Sequence, residues 1–141
     1  MLKRPPQRTI LTYGTFDLFH HGHARLLSRL TALGNEVIVG CSTDAFNAAK
    51  GKQSTLPYAQ RRAILESCRY VTHVIAEEDW DQKRTDIVNY NASVFAMGDD
   101  WEGRFDDLSD LAEVIYLPRT KDISSSLLRT RLTLEDIRVA G

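Results

Sequence analysis

Cysteine is scarce in this chain of 141 residues: Cys41 and Cys68 are the only two, far apart and in no C-x-x-C spacing. That excludes a disulfide framework and a thiol-built metal site, and it fits a reducing, cytoplasmic setting. Four prolines and eight glycines exclude collagen-like and low-complexity architectures. Long apolar runs are missing as well. Stretches such as Val37-Ile38-Val39 fall far below the ~20 residues of a membrane-spanning helix, so no membrane insertion is expected. The basic start, Met1-Leu2-Lys3-Arg4-Pro5-Pro6, leads into no apolar core, which argues against a secretory signal. Nor does one charge dominate: 18 basic against 19 acidic side chains leave a formal net charge of -1. Nucleic acid and anionic membrane surfaces are therefore not expected as partners.

Charge is nevertheless segregated along the chain. Residues 50–69 carry Lys50, Lys52, Arg61, Arg62 and Arg69 against Glu66 alone, whereas the acids between 99 and 113 face only Arg104. Such blocks are by default solvated surface, and the basic one gains meaning only if it converges with other anion-binding features.

With 43% apolar residues, the chain is long enough for one domain with a core of its own. Apolar runs alternate with amphipathic stretches. Strands are expected at Ile10–Tyr13, Val37–Cys41, Tyr70–Ile75, Ser93–Met97 and Val114–Leu117, the last stopped by Pro118. Helices are expected from His21 to Leu33 with Gly34 past the end, after the caps Ser42-Thr43-Asp44, from Pro57 through Leu65, from Asp81 to Asn89, and from Ser124 to Leu132. Strands separated by helices imply β-α-β crossovers and a five-stranded, mainly parallel sheet flanked by helices, an α/β domain. Ligands of such sheets sit at the carboxyl ends of the strands. The expected division is an N-terminal extension over 1–8, the domain over 9–134 and a tail over 135–141.

Directly after the first strand comes Gly14-Thr15-Phe16-Asp17-Leu18-Phe19-His20-His21-Gly22-His23. It lacks G-x-G-x-x-G, so a dinucleotide fingerprint fails. Two imidazoles, His20 and His23, instead flank Gly22 at the start of a helix, where unpaired N–H groups attract anions and glycine lets a phosphate approach. Three readings compete: surface histidines, zinc ligands, or donors to a phosphate in transfer. Neither cysteine adjoins the cluster and His73 lies in another strand, which disfavours zinc; placement between strand and helix favours phosphate.

The segment Tyr13 to His23 resembles the signature of the H-x-G-H nucleotidyltransferase superfamily. Ser42-Thr43-Asp44, Phe46-Asn47, Arg69-Tyr70-Val71, Met97-Gly98-Asp99-Asp100-Trp101-Glu102-Gly103, Tyr116-Leu117-Pro118-Arg119-Thr120 and Ile123-Ser124 are similar to the glycerol-3-phosphate cytidylyltransferase family, in order over about residues 9–131. The resemblance implies a Rossmann-like domain that joins CTP to a small phosphomonoester, giving CDP-glycerol for cell-surface polymer synthesis, and pyrophosphate. It implies His20, His23, Lys50 and Arg119 in catalysis. Thr15, Phe16, Asp17, Gly22, Arg61, Arg69, Gly98, Asp99, Asp100, Ser124 and Ser125 would hold the nucleotide together with His20, His23 and Arg119. Lys50, Lys52, Trp80 and Lys83 would hold the acceptor. Magnesium would travel mainly on the CTP phosphates, with no residue named as its ligand. A homodimer is implied, with Arg69-Tyr70-Val71 at the two-fold axis.

Four positions depart from the family pattern. Ser125 and Ser126 replace threonines, Thr72 replaces an aspartate, and Asp122 replaces a glycine of the phosphate loop. Adenylyl transfer, another phosphomonoester, or a nucleotide-binding regulatory module without turnover remain the alternatives, because no motif here encodes base choice. Intact His20, Gly22, His23, Arg119 and Ser124 favour the enzyme, since a sensor needs no transition-state donors.

Overall fold

Every strand presents apolar side chains to both faces. Ile10, Val37, Val39, Cys41, Val94 and Ala96 point one way, and Leu11, Tyr13, Ile38, Phe95 and Met97 the other. A sheet buried on both sides must be covered on both sides, which requires helical crossovers and parallel strands. The computed structural model, which describes residues 7–118, meets that demand. Its strands are β1 (Thr9–Gly14), β2 (Glu36–Ser42), β3 (His73–Glu77), β4 (Val94–Gly98) and β5 (Glu113–Leu117). They form one all-parallel sheet in the order β3-β2-β1-β4-β5. The order reverses between β1 and β4, the switch point that opens a crevice at their carboxyl ends.

Helices α1 (His21–Thr31) and α3 (Tyr58–Glu66) cover one face through Leu27, Leu30 and Leu65, all fully buried. Helix α4 (Gln82–Asn89) covers the other through Ile87, joined by Phe105 and Leu108. The short α2 (Asp44–Ala49) starts where expected: Thr43 caps it by accepting from the Phe46 N–H at 3.1 Å. Each such cap contributes about 1 kcal/mol. Gly40 is required by packing, since a Cβ there would run into the Tyr13 ring on the neighbouring strand.

One strand is displaced from its expected place. Tyr70 and Val71 lie in a turn, closed by Val71 N–H to Cys68 O at 3.1 Å, and β3 begins only at His73. They pack against the α1/α3 core from that turn, so their apolar character reflects burial without strand pairing. The strand instead runs on to Glu77, a residue too polar to be counted from sequence. The acidic stretch folds into two 3-10 turns, Asp99–Trp101 and Asp106–Asp110. The expected helix over 124–132, the tail, and Arg119, Asp122, Ser124, Ser125 and Ser126 lie outside the described residues.

Candidate active site

A cleft of about 610 Å³ opens at the carboxyl ends of β1, β2, β3 and β4. Its rear wall is the loop after β1, where Phe16 (φ 52°) and Leu18 (φ 60°) both take the left-handed conformation. For non-glycine residues this costs on the order of 1–3 kcal/mol each, so the surroundings must over-determine it. They do. The Phe16 ring is buried, and the buried Asp17 carboxylate accepts the backbone N–H groups of Thr55 and Leu56 at 2.8 and 3.0 Å. Asp17 therefore ties the loop after β1 to the loop before α3.

The loop delivers His20 and His23 to the first turn of α1 as a reciprocal cap. His20 Nδ1 accepts the Gly22 N–H at 3.0 Å, and His23 Nδ1 accepts the His20 N–H at 3.2 Å. The rings stack at 3.8 Å between centroids, 19° from parallel. An Nδ1 that accepts cannot carry a proton, so each neutral ring holds its proton on Nε2, the nitrogen outside the cap. Burial, and then the neighbouring His20, push His23 down to about 3. His23 is thus a neutral donor throughout the physiological range. Gly22 serves twice, supplying a cap N–H and leaving the helix start without a side chain.

The β2–β3 side of the cleft is cationic and aromatic. Lys83 is buried and pairs with Glu77 at 3.0 Å; Glu77 also accepts from Ser42 Oγ at 2.6 Å. The Lys83 ammonium stands 4.8, 4.9 and 5.6 Å from the ring centres of Tyr13, Trp80 and Phe105. A pair so buried gains little net stability over apolar residues, because desolvating both ions offsets their attraction. Lys50 lies 4.3 Å from the Phe46 centroid and 3.4 Å from Ser42 Oγ, and burial lowers its pKa. Lys52 and Trp80 complete this wall.

Across the switch point, Gly98, Asp100 and Trp101 line the cleft from the end of β4, the Trp101 ring meeting Trp80 edge-on at 6.0 Å between centroids. A Cβ on Gly98 would meet nothing within 4 Å, so the space beside it is open to a ligand. Asp99 shares the exposed 3-10 turn with Asp100 but does not itself line the cleft.

Two expected nucleotide contacts lie elsewhere. Arg61 is fully buried, and its guanidinium donates to Leu56 O, Thr15 O, Ser42 O and Asp44 Oδ1 at 2.7–3.0 Å. With its fork engaged it clamps three loops and does not line the cleft. Arg69 is exposed in the turn leading to β3, at the amino end of the strands, bonded to Tyr70 Oη at 2.8 Å. The cleft lies at the other pole. The basic block of residues 50–69 therefore divides, and only Lys50 and Lys52 face the cleft. Conversely, Ser42 and Asn47, motif residues with no role assigned from sequence, and Glu77 line it. Placing the end of β3 at Glu77 rather than Ile75 would have revealed that carboxylate, since site residues follow strands.

Comparison with known proteins agrees with this geometry. Residues 11–131 match the cytidylyltransferase-like family model. The chain is 50% identical over 125 residues to glycerol-3-phosphate cytidylyltransferase of Bacillus subtilis (strain 168), covering 89% of this chain and 97% of the relative. It is 47% identical over 131 residues to the enzyme of the same name from Staphylococcus aureus, covering 93% and 99%. The crystal structure of a lipopolysaccharide core biosynthesis protein from Thermoplasma volcanium shares the fold, with a TM-score of 0.68 at 17% identity, covering 81% of this chain and 98% of that one. Sequence match, sheet order and the paired histidines converge: this chain belongs to the cytidylyltransferase-like family and, within it, to the glycerol-3-phosphate cytidylyltransferases.

Proposed function

We propose that this protein transfers the cytidylyl group of CTP to sn-glycerol 3-phosphate, forming CDP-glycerol and pyrophosphate. The reciprocal histidine cap carries the reading. An acceptor phosphate with a second pKa of about 6 is already largely dianionic at neutral pH, so the reaction needs no general base. It needs donors for the charge that builds on the α-phosphate as an acceptor oxygen attacks phosphorus and the bond to the β-phosphate breaks in line. Two neutral imidazoles with the proton held on Nε2 meet that need without exchanging a proton. The cationic wall of Lys50, Lys52 and Lys83 suits the dianionic acceptor, with Trp80 closing the side; Gly98 and Asp100 suit the ribose of the nucleotide.

Magnesium belongs to the proposal as a companion of the triphosphate, where it supplies charge neutralisation for the departing pyrophosphate. Asp17 and Glu77, two carboxylates that line the cleft, are engaged by backbone and lysine donors. That donor set fits an ion ligated chiefly by phosphate oxygens. A homodimer through Arg69 and Tyr70, which lie away from the cleft, and a reducing cytoplasm that keeps Cys41 and Cys68 as thiols complete it.

Four nucleoside triphosphates assayed against a panel of small phosphomonoesters with magnesium, read by pyrophosphate release, test the activity. CTP with glycerol 3-phosphate is the expected pair, and a different pair or no release overturns it. Light scattering at micromolar concentration tests assembly: twice the chain mass of 16.0 kDa is expected, and a monomer refutes the dimer.

A further inference from the structure

Asn47 is 1% exposed and lines the cleft from α2. Its Oδ1 accepts from the Thr15 hydroxyl at 3.3 Å, which sets which way the amide faces. Its Nδ2 is the only buried side-chain nitrogen or oxygen among the described residues without a hydrogen-bond partner. A buried donor left unpaired costs roughly 1–3 kcal/mol, and native structures keep few of them. The Asn47 amide is therefore held, at a cost, beside the loop that bears the histidines.

We propose that Asn47 Nδ2 is a binding donor for a non-bridging oxygen of the acceptor phosphate, positioning it for attack. This deepens the function proposed above and rests on it. The choice of acceptor over nucleotide follows from placement. Lys50 caps the carboxyl end of the helix that carries Asn47, its N–H bonded to Asn47 O at 3.1 Å, and Lys50 reaches Ser42 at the end of β2. Asn47 thus belongs to the lysine-bearing part of the cleft, whereas Asp100 follows β4 across the switch point. A dianion is drawn to that part and repelled from Asp100. The neutral amide adds direction to the attraction that Lys50 and Lys83 provide without it. Its bond to Thr15 also fixes it relative to the strained loop, and so relative to the point of transfer.

Two variants test this. Asn47→Asp keeps the acceptor for Thr15 and replaces the donor by a carboxylate oxygen. Pyrophosphate-release kinetics should show KM for glycerol 3-phosphate raised about tenfold or more, as for a hydrogen bond to a charged group, with KM for CTP within about threefold. Asn47→Leu removes the unpaired donor. Its Tm without ligands should equal or exceed that of the parent, while KM for the acceptor rises as in the first variant. A structural role would lower Tm and leave the acceptor KM in place; that outcome, or an equal rise in both KM values, overturns the assignment. If the parent turns over a different phosphomonoester, glycerol 3-phosphate is wrong, and the same variants are read with the acceptor it does use. If the parent turns over none, calorimetric titration of glycerol 3-phosphate into parent and variants decides: tenfold weaker binding in Asn47→Asp supports the donor, while equal binding, or none by the parent, overturns it.

Discussion

The histidine cap and the Arg61 clamp hold the same loop at its two ends, His20 and Thr15. Both are built of basic side chains, and both were expected at the nucleotide. Arg61 donates to three backbone carbonyls and a carboxylate, one of those carbonyls on Thr15 itself. His20 and His23 take backbone N–H groups on Nδ1 and keep Nε2 outside the cap. The difference is one of bookkeeping on nitrogen: a basic residue acts on a ligand only through the donors that the fold leaves it. Arg61 shapes the site, and under the proposed reaction the histidines are the groups that act in it.

Removing the clamp should have the largest effect. Arg61→Met strands buried carbonyls and breaks the pair with Asp44, and a loss of about 3–5 kcal/mol in urea unfolding is expected. If this variant keeps parental stability while KM for CTP rises, the contrast fails and Arg61 touches nucleotide. Next, His23→Ala should lower kcat by roughly 10²–10³ with a smaller change in KM, as for loss of an oxyanion donor. His20→Asn sharpens the point, because asparagine caps helices well. Stability should stay near the parent while kcat falls as far, and activity within a few-fold of the parent would remove His20 from the chemistry.

The third effect concerns pH. His23 is held at about 3 in the fold, against about 6.5 in the unfolded chain. Below pH 6.5 the unfolded state binds the proton that the native state refuses, so stability is lost as pH falls, by up to roughly 1.4 kcal/mol per unit. His23→Gln should therefore lose about 2 kcal/mol less than the parent between pH 7 and pH 5 in paired urea melts. Parallel pH profiles would show that His23 is not held neutral. The smallest effect belongs to Asp44, the exposed partner of the clamp. Its pKa is lowered, first by the Tyr58 N–H and then by Arg61, so what it contributes is present above its unfolded value and lost as pH falls through the lower native one. Asp44→Asn should cost no more than about 1 kcal/mol at pH 7. A cost near that of Arg61→Met would mean that the ion pair, and not the carbonyl contacts, makes the clamp.

Much of this protein is legible in its residues taken in order. Alternating apolar runs and amphipathic stretches demanded a parallel sheet covered on both faces, because strands so apolar leave no face for water. H-x-G-H between a strand and a helix pointed to phosphate, since both the residue types and the location are local facts. What sequence alone did not settle is whatever depends on partners distant in the chain. The apolar Tyr70 and Val71 looked like strand, yet only the pairing of β2 with β3 shows that the ladder starts at His73. Glu77 joined the site through Ser42 and Lys83, and Arg61 left it through Thr15, Ser42 and Asp44. Asn47 read as one letter of a motif until its burial left an amide nitrogen with no partner. A side chain's chemistry is encoded in the sequence, but the hydrogen bonds left over for a ligand are counted only after folding, when every other partner has taken its share.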